Sequence, residues 1–410
     1  MDPRWRRQSY LVGAGIFLSA YDMGMMAMAL VSLKRAWHLG AWDVSLLASV
    51  TSVGMIVGSA GGGVLADRLG RRLLLVSDYL AFIGAAALSA LSPDLGWLLF
   101  ARFVVGIGVG ADYAASFTYL AEVVPPPVRG RVMAWTMWFA NFGTVIAYLV
   151  GSLWLSASPA LAWRAMLATG VVLAVPLVIS RSWVQESPLW AREQAFIPVR
   201  RRQKAGRSRF WRSLSVAQLS YFCYQITDQG LGMFLPLVLV ALWGHSLASA
   251  AWSSVAIKAV TIPAALATVW LIDRVGRRPL QVYGFLGRGL ALAVLAALYW
   301  RDPHVPSAIL AGLMVLVYIF GPAGPDKTVV IAPAEQFQTR MRGTGEGLAE
   351  MAGRLGGVVG IAGYGALAAW GGVAAGLGFF AVASGLGAVV SLAMVETRPR
   401  LENGAQEALL

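Results

Sequence analysis

The chain has 410 residues, of which 58% are hydrophobic and only 13% charged. An ordinary soluble domain is about 25% charged, so a water-soluble globule is excluded and an all-α membrane protein is expected. The net charge of +13 does not mark a nucleic-acid binder, because 24 of the 33 Lys and Arg fall in segments assigned to one side of a membrane.

A helix needs about 20 apolar residues to cross the hydrocarbon core. Twelve such spans are predicted, at 9–33, 43–66, 73–91, 96–121, 130–155, 161–181, 213–242, 248–271, 279–299, 305–333, 343–370 and 372–395. The start, Met1 to Gly15, carries no clear cleavage pattern and reads as part of a retained first helix. Asp22 lies near the middle of span 1. An ionisable group at that depth is costly and marks a pathway, so Asp22 is expected to take a proton, with Arg102 of span 4 as its partner. In span 2, Gly54, Gly58, Gly61, Gly62 and Gly63 form a small-residue face for close helix packing.

Span 4 places Arg102, Gly106, Val109, Asp112 or Tyr113, and Ser116 three or four apart, hence on one face. Asp112 is expected to serve as a second proton or substrate site, and Tyr113 to offer its hydroxyl to a solute. Asn141 of span 5 is a candidate lining residue. Span 7 carries Gln218, Tyr221, Gln225 and Asp228 with Gln229 at helical spacing, an expected pore face whose paired amides also suit hydroxyl recognition. Lys258 in span 8 and Arg354 in span 11 are candidate anion contacts, with a local Glu350–Arg354 pair as the competing reading of Arg354. Asp78 and Arg288 are assigned to structure. In span 10, Gly321, Pro322, Gly324 and Pro325 break the helix just before Asp326 and Lys327, both candidate solute contacts.

Four Lys and Arg fall on the opposite side and five inside helices. This is the positive-inside bias, and it predicts cytoplasmic N- and C-termini. The basic run from Arg200 to Arg212 reads as a topology signal. The expected organisation is a six-helix bundle over 1–181, a cytoplasmic linker over 182–212, a second six-helix bundle over 213–396 and a tail over 397–410. The two halves repeat one plan. Asp67-Arg68-Leu69-Gly70-Arg71-Arg72 recurs 206 residues later as Asp273-Arg274-Val275-Gly276-Arg277-Arg278, and Asp22 recurs as Asp228 at the same offset. Glu122 with Arg129 recurs 213 residues later as Glu335 with Arg342, and Glu186 recurs 210 later as Glu396. Glycine permits each tight loop, and the carboxylates can accept bonds from arginines or helix ends. Asp67, Arg68, Gly70, Arg71, Glu122, Arg129, Glu186, Asp273, Arg274, Gly276, Arg277, Glu335 and Arg342 are therefore expected to form a cytoplasmic gate.

The doubled Asp-Arg-X-Gly-Arg-Arg loop, Arg102-Phe-Val-Val-Gly106-Ile-Gly108-Val-Gly110, Trp163-Arg164 and Gln185-Glu186-Ser187-Pro188-Leu189-Trp190 resemble motifs of the major facilitator superfamily, the last of them its sugar-porter-like branch. Gly110-Ala-Asp112-Tyr113-Ala-Ala-Ser116, Gly324-Pro325-Asp326 and Pro333 to Arg342 resemble stretches of the phosphate:proton symporters. That resemblance implies site roles for Asp112, Tyr113, Asp228, Asp326 and Arg354, although Asp326 stands where that group has an amide and Ala114 where it has a proline. The implied fold is twelve transmembrane helices in two six-helix pseudo-repeats.

His38, His245 and His304 fall in connecting loops, so carboxylates are the expected proton carriers. The lone Cys223 excludes an intrachain disulfide. With no phosphate-binding loop, metal-ligand cluster or nucleophile–base arrangement, no enzyme activity, cofactor or metal is expected. The expected function is proton-coupled symport of a small polar solute by alternating access, from a monomer in the inner membrane with solute, protons and lipid as its partners. Inorganic phosphate or an organic anion is favoured. A sugar or polyol symporter or facilitator is the alternative, and an exporter of hydrophobic compounds, a transporter-like solute receptor and a scramblase are weaker ones.

Overall fold

The computed structural model describes residues 4–157, 162–195, 207–243, 247–302 and 305–397. Most of the basic run after Arg200, His245, His304 and nearly all of the expected tail lie outside these residues. The described residues are helical: α1 (Arg4–Ala36), α2 (Ala41–Leu69), α3 (Arg71–Ala90), α4 (Leu95–Val123), α5 (Arg129–Ala157), α6 (Ala162–Arg181), α7 (Pro188–Ala195), α8 (Arg207–Trp243), α9 (Leu247–Ala259), α10 (Thr261–Val275), α11 (Arg277–Arg301), α12 (Ser307–Phe320), α13 (Pro325–Gln336) and α14 (Thr339–Ser391). Eleven stretches are long and apolar enough to cross a membrane. The last, Thr339–Ser391, is two helices merged across a kink at Gly371 and Gly372, which gives twelve crossings. Span 8 is α9 with α10, and span 10 is α12 with α13.

Each half begins with a long helix, α1 or α8, packed on the fifth helix of its own set, α5 or the first part of α14. The halves meet where α2 crosses α14 and where α5 crosses α9 and α10, so the same two positions of the repeat are used twice. The α2 crossing depends on missing side chains. A Cβ on Gly63 would lie 2.2 Å from the Gly343 carbonyl oxygen, and one on Gly58 2.1 Å from that of Ile107 on α4. In a lipid environment, where tails are as apolar as leucine, such close backbone approach supplies the packing that holds helices together.

The two Asp-Arg-X-Gly-Arg-Arg turns share one end of the molecule, called here the basic face. Gly70 and Gly276 link their helices at φ of 99° and 105°, a region that costs any other residue strain. Trp42, Trp300 and Trp370 are exposed, as expected of rings that anchor helix ends at a lipid–water boundary. One element was not anticipated: α7 folds within the segment expected to be a plain linker.

Candidate functional site

The site has two layers, a polar lock at the basic face and a chamber between the halves.

At the lock, Arg71 is fully buried. Its guanidinium donates to Asp67 (3.0 Å), Glu122 (2.9 Å), the Ala66 carbonyl (2.7 Å) and, across the halves, the Thr339 carbonyl (3.1 Å). Asp67 accepts from the amides of Gly343 (3.1 Å) and Thr344 (2.8 Å) and from the Thr344 hydroxyl (2.7 Å). Arg342 approaches Glu122 at 3.6 Å. Glu186 accepts the Arg71 and Arg72 amides at 3.0 and 3.2 Å. The second half repeats this arrangement. Arg277 donates to Glu335 (2.8 and 3.1 Å) and Asp273 (3.1 Å), and Glu396 accepts the Arg277 and Arg278 amides. Its cross-half contact is looser: Asp273 meets Arg131 at 3.8 Å. Of the residues expected here, Arg68 and Arg274 are exposed and join no ion pair among the described residues, and Arg129 bonds only the nearby Val124 carbonyl. One buried arginine per motif does the bracing.

The chamber measures about 140 Å³ and takes lining from α1, α4 and α5 of the first half and from α8, α9, α10, α12, α13 and α14 of the second. Tyr113, Asn141, Tyr221, Gln225, Asp228, Gln229, Asp326 and Arg354 line it, as do Tyr224, Lys258 and Tyr318. A larger cavity of about 540 Å³ lies within the second half, bounded by α8, α11, α13 and the chain after α14. No residue of the first half lines it, so it is not the space between the halves.

Most chamber charges are already matched. Arg288 donates to Asp228 at 3.1 Å. Lys327 is ion-paired with its neighbour Asp326, which also accepts the Tyr224 hydroxyl at 3.1 Å. Arg354 pairs with Glu350 at 2.5 Å and lies 4.8 Å from the centre of the Tyr113 ring. Two amides are partly engaged: Asn141 donates to the Met137 carbonyl, and Gln229 accepts the Ser52 hydroxyl. Lys258 stands apart. It is 9% exposed, makes no ion pair or side-chain hydrogen bond among the described residues, and sits over the Tyr318 and Tyr148 rings at 4.5 and 5.7 Å. Asp228 and Asp326 act on it electrostatically from beyond ion-pair distance, so this buried ammonium, resting on ring faces, can take an anion.

Two residues expected to line the chamber lie elsewhere. Asp112 is 1% exposed and bonded to Arg181 at 2.9 Å and to the Ser116 hydroxyl, inside the first half. Lys327 is fully buried behind Asp326. Asp22 is likewise outside, held by both terminal nitrogens of Arg102, the longer contact 2.9 Å. The shared chamber therefore takes its carboxylates from the second half alone. Asp22 and Asp112 are each buried against an arginine inside the first bundle, whereas Asp228 and Asp326, though also paired, keep a face on the chamber. Arg288, assigned to structure from its place in the sequence, is the partner of Asp228. The repeat gives no sign of this role, since the first-half counterpart at the 206 offset is Phe82.

A family model described as Sugar (and other) transporter matches residues 10–205, and one described as Major Facilitator Superfamily matches 217–409. The Niacin transporter NiaP of Acinetobacter baylyi is 27% identical over 382 residues, covering 85% of this chain and 84% of that one. The Glucose transporter GlcP of Staphylococcus epidermidis is 26% identical, covering 83% of each. The proton:xylose symporter XylE, bound to 6-bromo-6-deoxy-D-glucose, superposes with a TM-score of 0.83 at 19% identity over 96% of each chain. The inward-open form of XylE, from E. coli, superposes at 0.73. The chain belongs to the major facilitator superfamily: it is a multi-pass membrane transporter and not an enzyme.

Proposed function

We propose that this major facilitator protein is a proton-coupled symporter that takes up a small organic monoanion, an aromatic or heterocyclic carboxylate such as nicotinate. The observation that carries this reading is Lys258, a chamber cation that forms no ion pair among the described residues, while Arg288, Lys327 and Arg354 each form one. One surplus positive charge suits one carboxylate. A phosphate dianion would call for two free cations, and a sugar for more uncommitted amides than Gln225 and its neighbours offer. Tyr113, Tyr221, Tyr224 and Tyr318 supply flat apolar surface for a ring, with hydroxyls at its edge. The niacin transporter among the relatives is in keeping with this choice. A sugar is the second reading, favoured by the glucose-transporting relative.

The basic face is the cytoplasmic side of the inner membrane, supported by the bias of Lys and Arg toward that face. The bonds that Asp67 and Arg71 make across to α14 support a cytoplasmic gate that is shut here. The two bundles rock about the chamber, and each opening of the basic face must break the Asp67 and Arg71 bonds to α14. Asp22 and Arg102 form the first proton site: protonation of Asp22 releases the arginine. Asp112, held by Arg181, is a second acid–base pair of the same bundle.

The test is equilibrium binding to the purified protein in detergent, with nicotinate, phosphate and xylose as ligands, on wild type and Lys258→Met. Loss of a hydrogen bond to a charged group costs about 1.5–3 kcal/mol, so the variant is expected to weaken nicotinate binding roughly 10- to 100-fold. Xylose binding that is tighter than nicotinate binding and indifferent to Lys258 would reverse the assignment.

A further inference from the structure

The first part of α14 carries four charged residues, each four positions from the next: Arg342, Glu346, Glu350 and Arg354. Residues four apart lie one above another on a helix, so they form a single winding stripe. Its ends belong to the two layers of the site. Arg342 reaches Glu122 in the lock and Arg354 lines the chamber. Three members are engaged: Arg342 with Glu122 and the Phe337 carbonyl, and Glu350 with Arg354.

Glu346 is not. It is 1% exposed, and neither carboxylate oxygen has a hydrogen-bond partner among the described residues. Most charged groups on the elements packed against this stretch are committed to other partners, while Arg129 of α5 and Glu193 of α7 act on Arg342. Asp67 of α2 binds Gly343 and Thr344, Glu122 of α4 binds Arg71, and Glu335 of α13 binds Arg277. Tyr113 of α4 faces Arg354, and Tyr221 of α8 lies against Gly353, two turns from Glu346. On α14 itself Glu350 stands one turn above, and Arg342 one turn below, its Nη1 held only by the 3.6 Å ion pair with Glu122. An ionised carboxylate in such a place would be buried without a counter-charge, which proteins avoid by holding the proton.

We propose that Glu346 is a proton-binding site of the transport cycle, loaded while the lock is shut and emptied to the basic face as the lock opens. This rests on the proton-coupled reading above. The switch is Arg342. With the lock shut it is drawn to Glu122 in the other half. When the halves part it loses that partner, and Glu346, one turn away on the same helix, becomes the carboxylate within its reach. Pairing with Arg342 favours the ionised form, and the proton leaves to the side that has just opened. Glu350 and Arg354 connect the same stripe to the chamber, from which the site reloads.

The experiment compares wild type and Glu346→Gln in proteoliposomes, using labelled nicotinate. Two modes are read: accumulation driven by an inward proton gradient, and exchange against internal nicotinate with no gradient. Glutamine imitates the protonated acid, so the variant is expected to retain exchange and lose accumulation, its internal level falling to the external one. Glu346→Asp, which restores an acid, is expected to regain part of the accumulation. Accumulation in Glu346→Gln equal to wild type would overturn the assignment. Wild-type exchange without gradient-driven accumulation would instead remove the coupling on which it rests. A readout on the unmutated protein guards against a misfolded variant. The infrared carbonyl band of a protonated carboxylic acid should be present at neutral pH with the lock shut, and its absence contradicts a loaded Glu346.

Discussion

Buried charge in this protein is arranged pair by pair, and the pairs differ in what they can do. Arg102 grips Asp22 through two nitrogens and also donates to Thr51 at 3.3 Å. Removing one member of a buried pair leaves the other uncompensated, at a cost of about 3–5 kcal/mol, whereas replacing both is far milder. Arg102→Met is therefore expected to lower the thermal unfolding temperature in detergent more than the double replacement Asp22→Asn with Arg102→Met. Equal losses would show that the pair is not what holds these residues in place. The sequence placed Asp22, Arg102 and Asp228 at membrane depth because charge there is conspicuous against an apolar background. It paired Asp22 with Arg102 but offered no partner for Asp228. The two aspartates occupy matching positions of the repeat, yet one takes its arginine from α4 and the other from α11. Glu346 escaped notice for a related reason: the sequence paired only its neighbours Glu350 and Arg354, and the structure shows Glu346 buried without a hydrogen-bond partner among the described residues.

At the scale of the helix, closure depends on the crossing of α2 and α14. The Gly63 and Gly343 backbones approach so closely that any side chain at Gly63 would collide with the facing carbonyl. Gly63→Leu is accordingly expected to hold the lock open. A cysteine placed at Thr344, with Cys223 replaced by serine, should then be labelled by a water-soluble maleimide much faster than in the parent. Unchanged labelling would mean that the shut state tolerates the side chain. The glycine face of span 2 and the break at Gly321 to Pro325 were legible in the sequence, since glycine and proline act locally. Which helix the glycine face meets was not legible, because the partner is almost three hundred residues distant and identified only by the fold. The halves also depart from their repeat. Tyr119, Arg181 and Gln8 pack the first bundle, with Tyr119 donating to Gln8 at 3.0 Å and Arg181 to Asp112 at 2.9 Å. At the matching offsets the second bundle has Ala332, Ser391 and Leu214, and Ala332 lines the cavity of about 540 Å³ in that bundle.

Across the whole molecule, the charge on the solute decides which force can drive uptake. A monoanion entering with one proton moves no net charge, so the membrane potential does no work on it. A neutral sugar entering with a proton would gain about 2.3 kcal/mol per 100 mV. For the monoanion only the pH difference counts, and one unit supplies about 1.4 kcal/mol, or about tenfold accumulation. The decisive measurement is labelled nicotinate uptake into proteoliposomes in which the pH difference and a potassium-diffusion potential are set independently. One-to-one coupling of a monoanion to a proton predicts accumulation of about tenfold per pH unit, unaltered when an inside-negative potential is imposed or removed. Accumulation that follows the potential, or no accumulation under either gradient, would contradict it.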